Sequence, residues 1–234
     1  MALPKLDTPT YTLELPSTGE EIKYRPFLVK EQKTLMILQE SDTKTDVYNA
    51  LTEILNNCTF NTINATKMPI FDFEYVFLKI RSKSVGETAE ISVLCPDDDE
   101  TRVTVSINLD EVDVQVTDEH VNTIQVTDNI NMVLRWPTIK DVSDSRTGDL
   151  VTDTMSLVNR CIVEITEGDT IHRRSDFSDK ELGEFIDNLP TDTFEGVGKF
   201  FDTMPKLLHV VDVENPKTKV KSEVTIEGID NFFS

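Results

Sequence analysis

The 234-residue sequence predicts an α+β fold, with β-hairpins and a small antiparallel sheet packed against grouped helices, in two subdomains. Two observations carry that prediction. Segments that alternate apolar and polar residues stand near the start, in the middle and at the end of the chain. Segments with a 3.6-residue apolar period lie between them in groups, without the strict strand–helix alternation of a doubly wound sheet.

Thr10 to Leu15 alternates, with Tyr11, Leu13 and Leu15 on one side. Ile22 to Arg25 alternates again after the turn-forming Pro16 to Glu20, which predicts a hairpin ended by Pro26. Leu28 to Gln39 reads as a helix, with Leu28, Leu35, Met36 and Leu38 near one stripe and Lys30, Glu31 and Lys33 outside it. A second helix is expected behind an Asp46 cap, burying Tyr48, Leu51, Ile54 and Leu55. Phe71 to Arg81 is the most apolar stretch. Its length favours a helix over a buried strand, with Asp72 as N-cap, Phe73, Val76, Phe77 and Ile80 on one face, and Gly86 as the stop.

Thr88 to Leu94 and Thr101 to Leu109 are β-branched and alternating, joined by the acidic Cys95-Pro96-Asp97-Asp98-Asp99-Glu100, which predicts a second hairpin. Shorter strands are expected at Val112 to Val116, Asn122 to Thr127 and Asn131 to Arg135. From Thr147 the pattern is helical, with Leu150, Thr154, Leu157, Val158, Cys161 and Ile165 in one stripe closed by Gly168. Ser178 and Glu181 stand three apart as a capping box, opening a helix that Pro190 stops. Thr193 to Met204 forms another helix with Phe194, Val197, Phe200 and Phe201 inward. Leu207 to Val213 and Val220 to Ile226 alternate around Asn215-Pro216-Lys217 as a third hairpin. The expected organisation is an N-terminal α+β part over 1–135, ending in a β-rich acidic segment, and a C-terminal helical part over 136–234, closing with a hairpin and an aromatic tail.

Lys and Arg number 23 against 43 Asp and Glu, a net charge of -20, which argues against a general nucleic-acid binder and against anionic membranes. The charge is uneven. Residues 87–131 carry 1 basic and 12 acidic side chains, and residues 141–195 carry 5 and 14, on either side of the basic and aromatic Leu134 to Lys140. Two readings stand: solvated faces that keep the protein soluble, or an acidic face that steers a basic protein partner. Three separated cysteines, Cys58, Cys95 and Cys161, give neither a disulfide framework nor a C-x-x-C knuckle. The N-terminus lacks a signal-peptide pattern, and no apolar run approaches the ~18 residues of a membrane span. An intracellular protein, or one assembled inside a cell, is expected, and the glycosylation pattern among Asn57-Cys58-Thr59 and Asn64-Ala65-Thr66 reads as chance.

Chemistry is sparse. His120, His172 and His209 are widely separated, with no His-x-x-x-His pair. There is no P-loop, dinucleotide fingerprint or G-x-S-x-G elbow. The 95–100 loop has acids but neither the Gly nor the spacing of an EF-hand. Carboxylates are so common that no pair singles out a glycosidase. No catalytic, cofactor-binding or metal residues are assigned. Two features suggest contact surfaces instead: Phe232-Phe233 near the end of the chain, and Trp136, the only tryptophan, beside Arg135.

The blocks Leu3-Pro4-Lys5-Leu6, Leu15 to Gly19 and Tyr24-Arg25-Pro26-Phe27-Leu28-Val29-Lys30-Glu31, then Phe77 to Glu87 through Arg81-Ser82-Lys83-Ser84-Val85-Gly86, and finally Gly228 to Phe233, span the chain. With these blocks it resembles the baseplate hub subunits and hub-assembly proteins of T-even-type contractile-tailed bacteriophages. The resemblance implies a non-enzymatic hub component or assembly chaperone, with other baseplate hub proteins as partners. It implies the host cytoplasm during assembly and the tail baseplate of the virion as locations. Relatives with extra cysteines in the hairpin loops suggest a zinc ribbon, but here Cys95 stands alone and Asn215-Pro216-Lys217 has none, so no metal is carried over. The contact candidates are Arg25, Phe27, Arg81, Lys83, Gly86, Trp136, Phe232 and Phe233. The alternative is a baseplate-associated glycan hydrolase using two carboxylates. Oligomeric state is left open.

Overall fold

A computed structural model describes residues 7–39 and 44–228. Among these are seven α-helices and eleven strands, every ladder antiparallel, so the fold is α+β. Phe232 and Phe233 lie outside the described residues.

The chain forms two compact units. Unit 1 takes residues 1–65, 71–115 and 206–234, and unit 2 takes 66–70 and 116–205. Both are discontinuous in sequence, whereas a division at 135/136 is continuous. The reason for unit 1 is a long-range ladder: β5 (Asp113–Gln115) pairs with β10 (Lys206–Glu214), Val114 opposite Leu207, and β10 pairs with β11 (Lys221–Glu227). The last hairpin thereby joins residues near the middle of the chain.

Unit 1 opens with the hairpin of β1 (Tyr11–Glu14) and β2 (Glu21–Tyr24), with Tyr11 opposite Tyr24 and their rings 5.6 Å apart. Then come α1 (Val29–Gln39), α2 (Lys44–Cys58) and α3 (Ile70–Val85). Helix α2 begins before Asp46, which lies inside it and not at its cap. Asp72 likewise lies inside the first turn of α3. There it reaches across to the β1–β2 turn and accepts the N–H of Ser17 at 3.0 Å and the Ser17 hydroxyl. Burial pushes the Asp72 carboxyl up, opposed by those bonds. A tertiary contact, not a local cap, places that acid. The expected face of α3 holds, with Phe73, Val76, Phe77 and Ile80 buried.

The β3 (Thr88–Leu94) and β4 (Arg102–Asn108) hairpin packs its alternate residues into one core with the β10–β11 hairpin: Ala89, Ile91, Val93, Ile107, Leu207, Val213 and Ile226, with Leu78 of α3. Each such side chain contributes about 1.5–3 kcal/mol by leaving water.

Unit 2 is built on a four-stranded sheet, β6 (Thr123–Gln125), β7 (Ile130–Leu134), β8 (Ile162–Glu167) and β9 (Thr170–Arg173), in that spatial order. Helices α4 (Ile139–Ser145) and α5 (Leu150–Cys161) follow β7, and α6 (Asp179–Asp187) and α7 (Thr191–Thr203) follow β9. The helix expected to run through Ile165 ends at Cys161. The next residues, Ile162-Val163-Glu164-Ile165-Thr166, are β-branched around one acid and extend beside β7, with Met132 opposite Ile165. Gly168, with φ +55°, then turns the β8–β9 hairpin instead of ending a helix. The Ser178–Glu181 capping box forms as expected. Val197 and Phe200 are buried with Ile124, Met132, Leu134, Val158 and Leu182, and Phe194 and Phe201 pack against them.

Candidate interaction surfaces

In unit 1 the chain passes from β2 to α1 through Arg25-Pro26-Phe27-Leu28. Arg25 turns inward. Its Nη2 donates to Glu31 Oε1 at 2.9 Å, and its Nη1 donates to the Pro26 carbonyl at 3.0 Å and lies 3.6 Å from Cys58 Sγ. Glu31, in the first turn of α1, also accepts the Leu28 N–H at 2.8 Å, meeting a donor the helix leaves unpaired. Burial opposes the charge of Glu31, but Arg25, the Leu28 N–H and Lys30 outweigh it and hold the carboxyl below its ordinary value. The side chains are 8% and 2% exposed. Arg25 is therefore placed to fix the junction from within.

Phe27 ties this junction to α3, the helix that carries Arg81 and Lys83 and that Gly86 follows. The Phe27 N–H donates to Ser84 Oγ at 2.7 Å, and its half-buried ring sits 5.5 Å from Phe77. Arg81 is half-buried on α3, and burial lowers its pKa. Lys83 pairs with Glu87 at 2.6 Å and Asp110 at 2.8 Å, and the two carboxylates raise its pKa. Gly86 ends α3 with φ +133°, a conformation that a Cβ disfavours, and it is exposed. Beside them Leu28, Val29 and Val85 face solvent. So do Met36 and Ile37 of α1, although Met36 was expected inside with Leu35 and Leu38, which are half-buried. Val29, Met36 and Ile37 share one face of α1 at i, i+7 and i+8.

Trp136 belongs to unit 2. Its Nε1–H donates to His120 Nε2 at 2.9 Å, which fixes the proton of a neutral imidazole on Nδ1, 3.2 Å from Thr203 Oγ1. The His120 ring stacks near Trp136 and lies 4.9 Å from Phe200, and burial lowers its pKa. His120 is thus a half-buried partner of the tryptophan. Arg135, next in chain, donates from Nη1 to Asp141 Oδ2 at 2.6 Å and from Nη2 to the Arg160 carbonyl at 3.0 Å. Asp141 also accepts the Thr138 N–H at 2.9 Å in a capping box. Its burial opposes the charge, but Arg135 and Thr138 hold the carboxyl low.

The β3–β4 and β10–β11 turns meet in unit 1. Asn215 Nδ2 donates to Asp97 at 3.0 Å, and Thr218 Oγ1 donates to the same carboxylate. Hydrogen bonds from Thr218 and Asn215 hold the Asp97 pKa down. Cys58, Cys95 and Cys161 are all buried and free. Burial pushes Cys58 up to about 11 and Cys161 up to about 12, so neither is a ready nucleophile at neutral pH. Among the described residues there is no group of three or more His, Cys, Asp or Glu side chains placed to hold a metal ion, and no helix long and apolar enough to cross a membrane. Unit 2 has a hollow of about 520 Å³ between α5 and α6, lined by Val151, Met155, Asn159, Gly183 and Asp187 among others.

The sequence reading missed a correspondence between the units. Tyr24-Arg25-Pro26-Phe27-Leu28-Val29-Lys30-Glu31 and Leu134-Arg135-Trp136-Pro137-Thr138-Ile139-Lys140-Asp141 share an Arg, a Pro beside an aromatic, a β-branched residue, a Lys and an acid. Ile54-Leu55-Asn56-Asn57-Cys58 and Leu157-Val158-Asn159-Arg160-Cys161 match in the same way. Each Arg follows a hairpin and pairs with the acid six residues on. Each donates its own N–H to the carbonyl of the matching cysteine at 2.9 Å. Comparing the chain with itself would have revealed this repeat; the different helix lengths between the two blocks obscure it.

No curated protein and no solved structure matches this chain. Residues 8–234, which take in both junctions and both units, match the family described as T4 bacteriophage base plate protein, and the chain belongs to that family.

Proposed function

We propose that this protein is a structural or assembly component of the baseplate hub that acts through protein–protein contacts and catalyses no reaction. The family gives a role in the phage baseplate, and a tail baseplate location in the virion. The observation that supports contact as the mode of action is apolar side chains left open on helices: Val29, Met36 and Ile37 on α1, beside Leu28 and Val85. Surfaces of this kind mark sites where another protein binds. In this reading Phe27, Lys83 and Gly86 frame the contact and Arg25 and Arg81 position it, while Trp136, Phe232 and Phe233 are separate contact candidates. The partners are other hub proteins, met in the host cytoplasm during assembly.

The test is a phage lacking this protein, complemented with the triple variant Val29→Asp, Met36→Asp, Ile37→Asp or with a chain shortened by residues 232–234. Both variants should be folded by circular dichroism yet fail to yield tails by electron microscopy. Normal tail numbers with both variants would falsify the contact assignment. Mass spectrometry of finished particles against assembly intermediates separates a retained hub subunit from a transient chaperone.

A further inference from the structure

We propose that the groove between α5 and α6 of unit 2 receives a basic amphipathic helix of a partner protein. This deepens the contact-driven reading above and rests on it.

Three observations converge on the groove. Its α5 wall carries two apolar side chains one turn apart among polar ones: Val151 is largely exposed and Met155 is only partly buried. On the α6 wall stands Gly183, where an added Cβ would meet only Asn159 Nδ2, at 3.9 Å. Apolar side chains facing a gap without one suit a helix laid between two helices.

The charge selects the partner. Helix α5 with its cap Asp149, together with α6, carries six carboxylates against two basic residues, Arg160 and Lys180. Arg160 is already paired with Asp144, Lys180 with Glu184, and of the two carboxylates that line the groove Asp179 is paired with Arg174, which leaves Asp187 to face an incoming cation. A helix bearing Lys and Arg along its flanks is complementary, whereas a second copy of this chain, with net charge -20, brings like charge to like.

The third observation is a missing donor. Asn159 lines the groove and is 9% exposed. Its Nδ2 donates to the Asp179 carbonyl at 2.9 Å, but its buried Oδ1 has no hydrogen-bond partner. The matching residue of unit 1, Asn56, uses its Oδ1 to accept the Ala65 N–H at 3.0 Å, from the segment that follows its helix. A Lys, Arg or Gln of the incoming helix supplies the equivalent donor in unit 2 once the side chains that cover Oδ1 yield, and closing that bond removes the cost of an unsatisfied buried acceptor.

The probe is a fluorescein-labelled 14-residue Leu/Lys amphipathic peptide, with a Leu/Glu peptide of the same pattern as control, titrated against the full chain by anisotropy. The Leu/Lys peptide should bind and the Leu/Glu peptide should not. Gly183→Leu, which fills the groove, and Val151→Lys, which removes an apolar contact and adds a positive charge at the exposed start of α5, should each weaken binding at least tenfold. Should Gly183→Leu disturb folding, as judged by circular dichroism, Val151→Lys carries the test. Equal affinity for the wild type and a folded groove variant overturns the proposal, because the peptide is then held elsewhere on the acidic surface. So does absence of binding, binding of the Leu/Glu peptide, or self-association that Val151→Lys abolishes, which makes a second copy the occupant. Peptide binding in solution and tail assembly in cells can fail independently, so this result stands apart from the test of the hub role.

Discussion

The two strand-to-helix junctions share their wiring and differ in burial. Around Arg25 and Glu31 the ion pair is closed off from water, at 8% and 2% side-chain exposure; around Arg135 and Asp141 it is 42% and 10%. The hydrogen-bond roles are alike: arginine to acid, arginine to the carbonyl of the next residue, an N–H at the helix start to the acid, and arginine N–H to a cysteine carbonyl. What differs is the medium around them. One pattern of residues thus serves as a sealed lock in unit 1 and as a wet brace in unit 2, and the energetic weight of the motif cannot be read from the motif alone.

The largest expected effect follows from the sealed pair. Arg25→Ala leaves the buried Glu31 with only Lys30 at 3.3 Å and the Leu28 N–H as partners, and should cost about 2–3 kcal/mol in urea-induced unfolding. The double variant Arg25→Met, Glu31→Leu should recover most of that loss, short of about 1 kcal/mol for the helix-capping bond to Leu28. A single-variant cost below the double-variant cost would show that the pair is not sealed. The acid side of the pH profile gives the same answer. Glu31 keeps its charge to lower pH in the folded chain than in the unfolded one. Its contribution is therefore complete above the ordinary carboxylate value of ~4.3 and is lost as pH falls through the lower folded value.

Arg135→Ala should cost less, about 1 kcal/mol, because water reaches the vacated site and Asp141 keeps its bonds to Thr138. If both arginine variants lose the same stability in parallel urea titrations, burial is not what separates the junctions.

The smallest effect concerns the aromatic beside each arginine. Phe27 rests on Phe77, which does not titrate, whereas Trp136 donates to His120, which does. The folded pKa of His120 is lowered by burial, so the unfolded chain takes up the proton first as pH falls. Stability from this site is complete above ~6.5 and declines as pH drops toward the folded value. Fluorescence of the sole tryptophan should show a lower melting temperature at about pH 5.5 than at about pH 7.5. His120→Gln should flatten that slope. A slope that persists in His120→Gln assigns the titration to another group and erases this difference between the junctions.

The hairpins and most helices were legible in the sequence because their signals are local. The Ser178–Glu181 box needs only residues three apart, and the β3–β4 ladder needs only the alternation of Ala89, Ile91 and Val93. Three features were not legible. Asp72 looked like a cap and proved to be a clasp on Ser17, because a carboxylate answers whichever donor the fold brings near. Ile162 to Thr166 continued a helical stripe but extends along β7, since an apolar residue at that spacing fits either period until a partner strand is present. Arg25 was named as a contact candidate and is buried, because Glu31 beside it pairs its charge, a partner that only the fold of the junction reveals.

The sequence by itself determined the α+β class, the hairpins and the acidic surface, since alternation, turn chemistry and charge act over a few residues or over the whole composition. Only the tertiary structure decided that β5 and β10 pair across the chain, which arginine is sealed, and that the groove beside Asn159 stays open. Those outcomes depend on which distant residues exclude water from one another, and no local pattern encodes that.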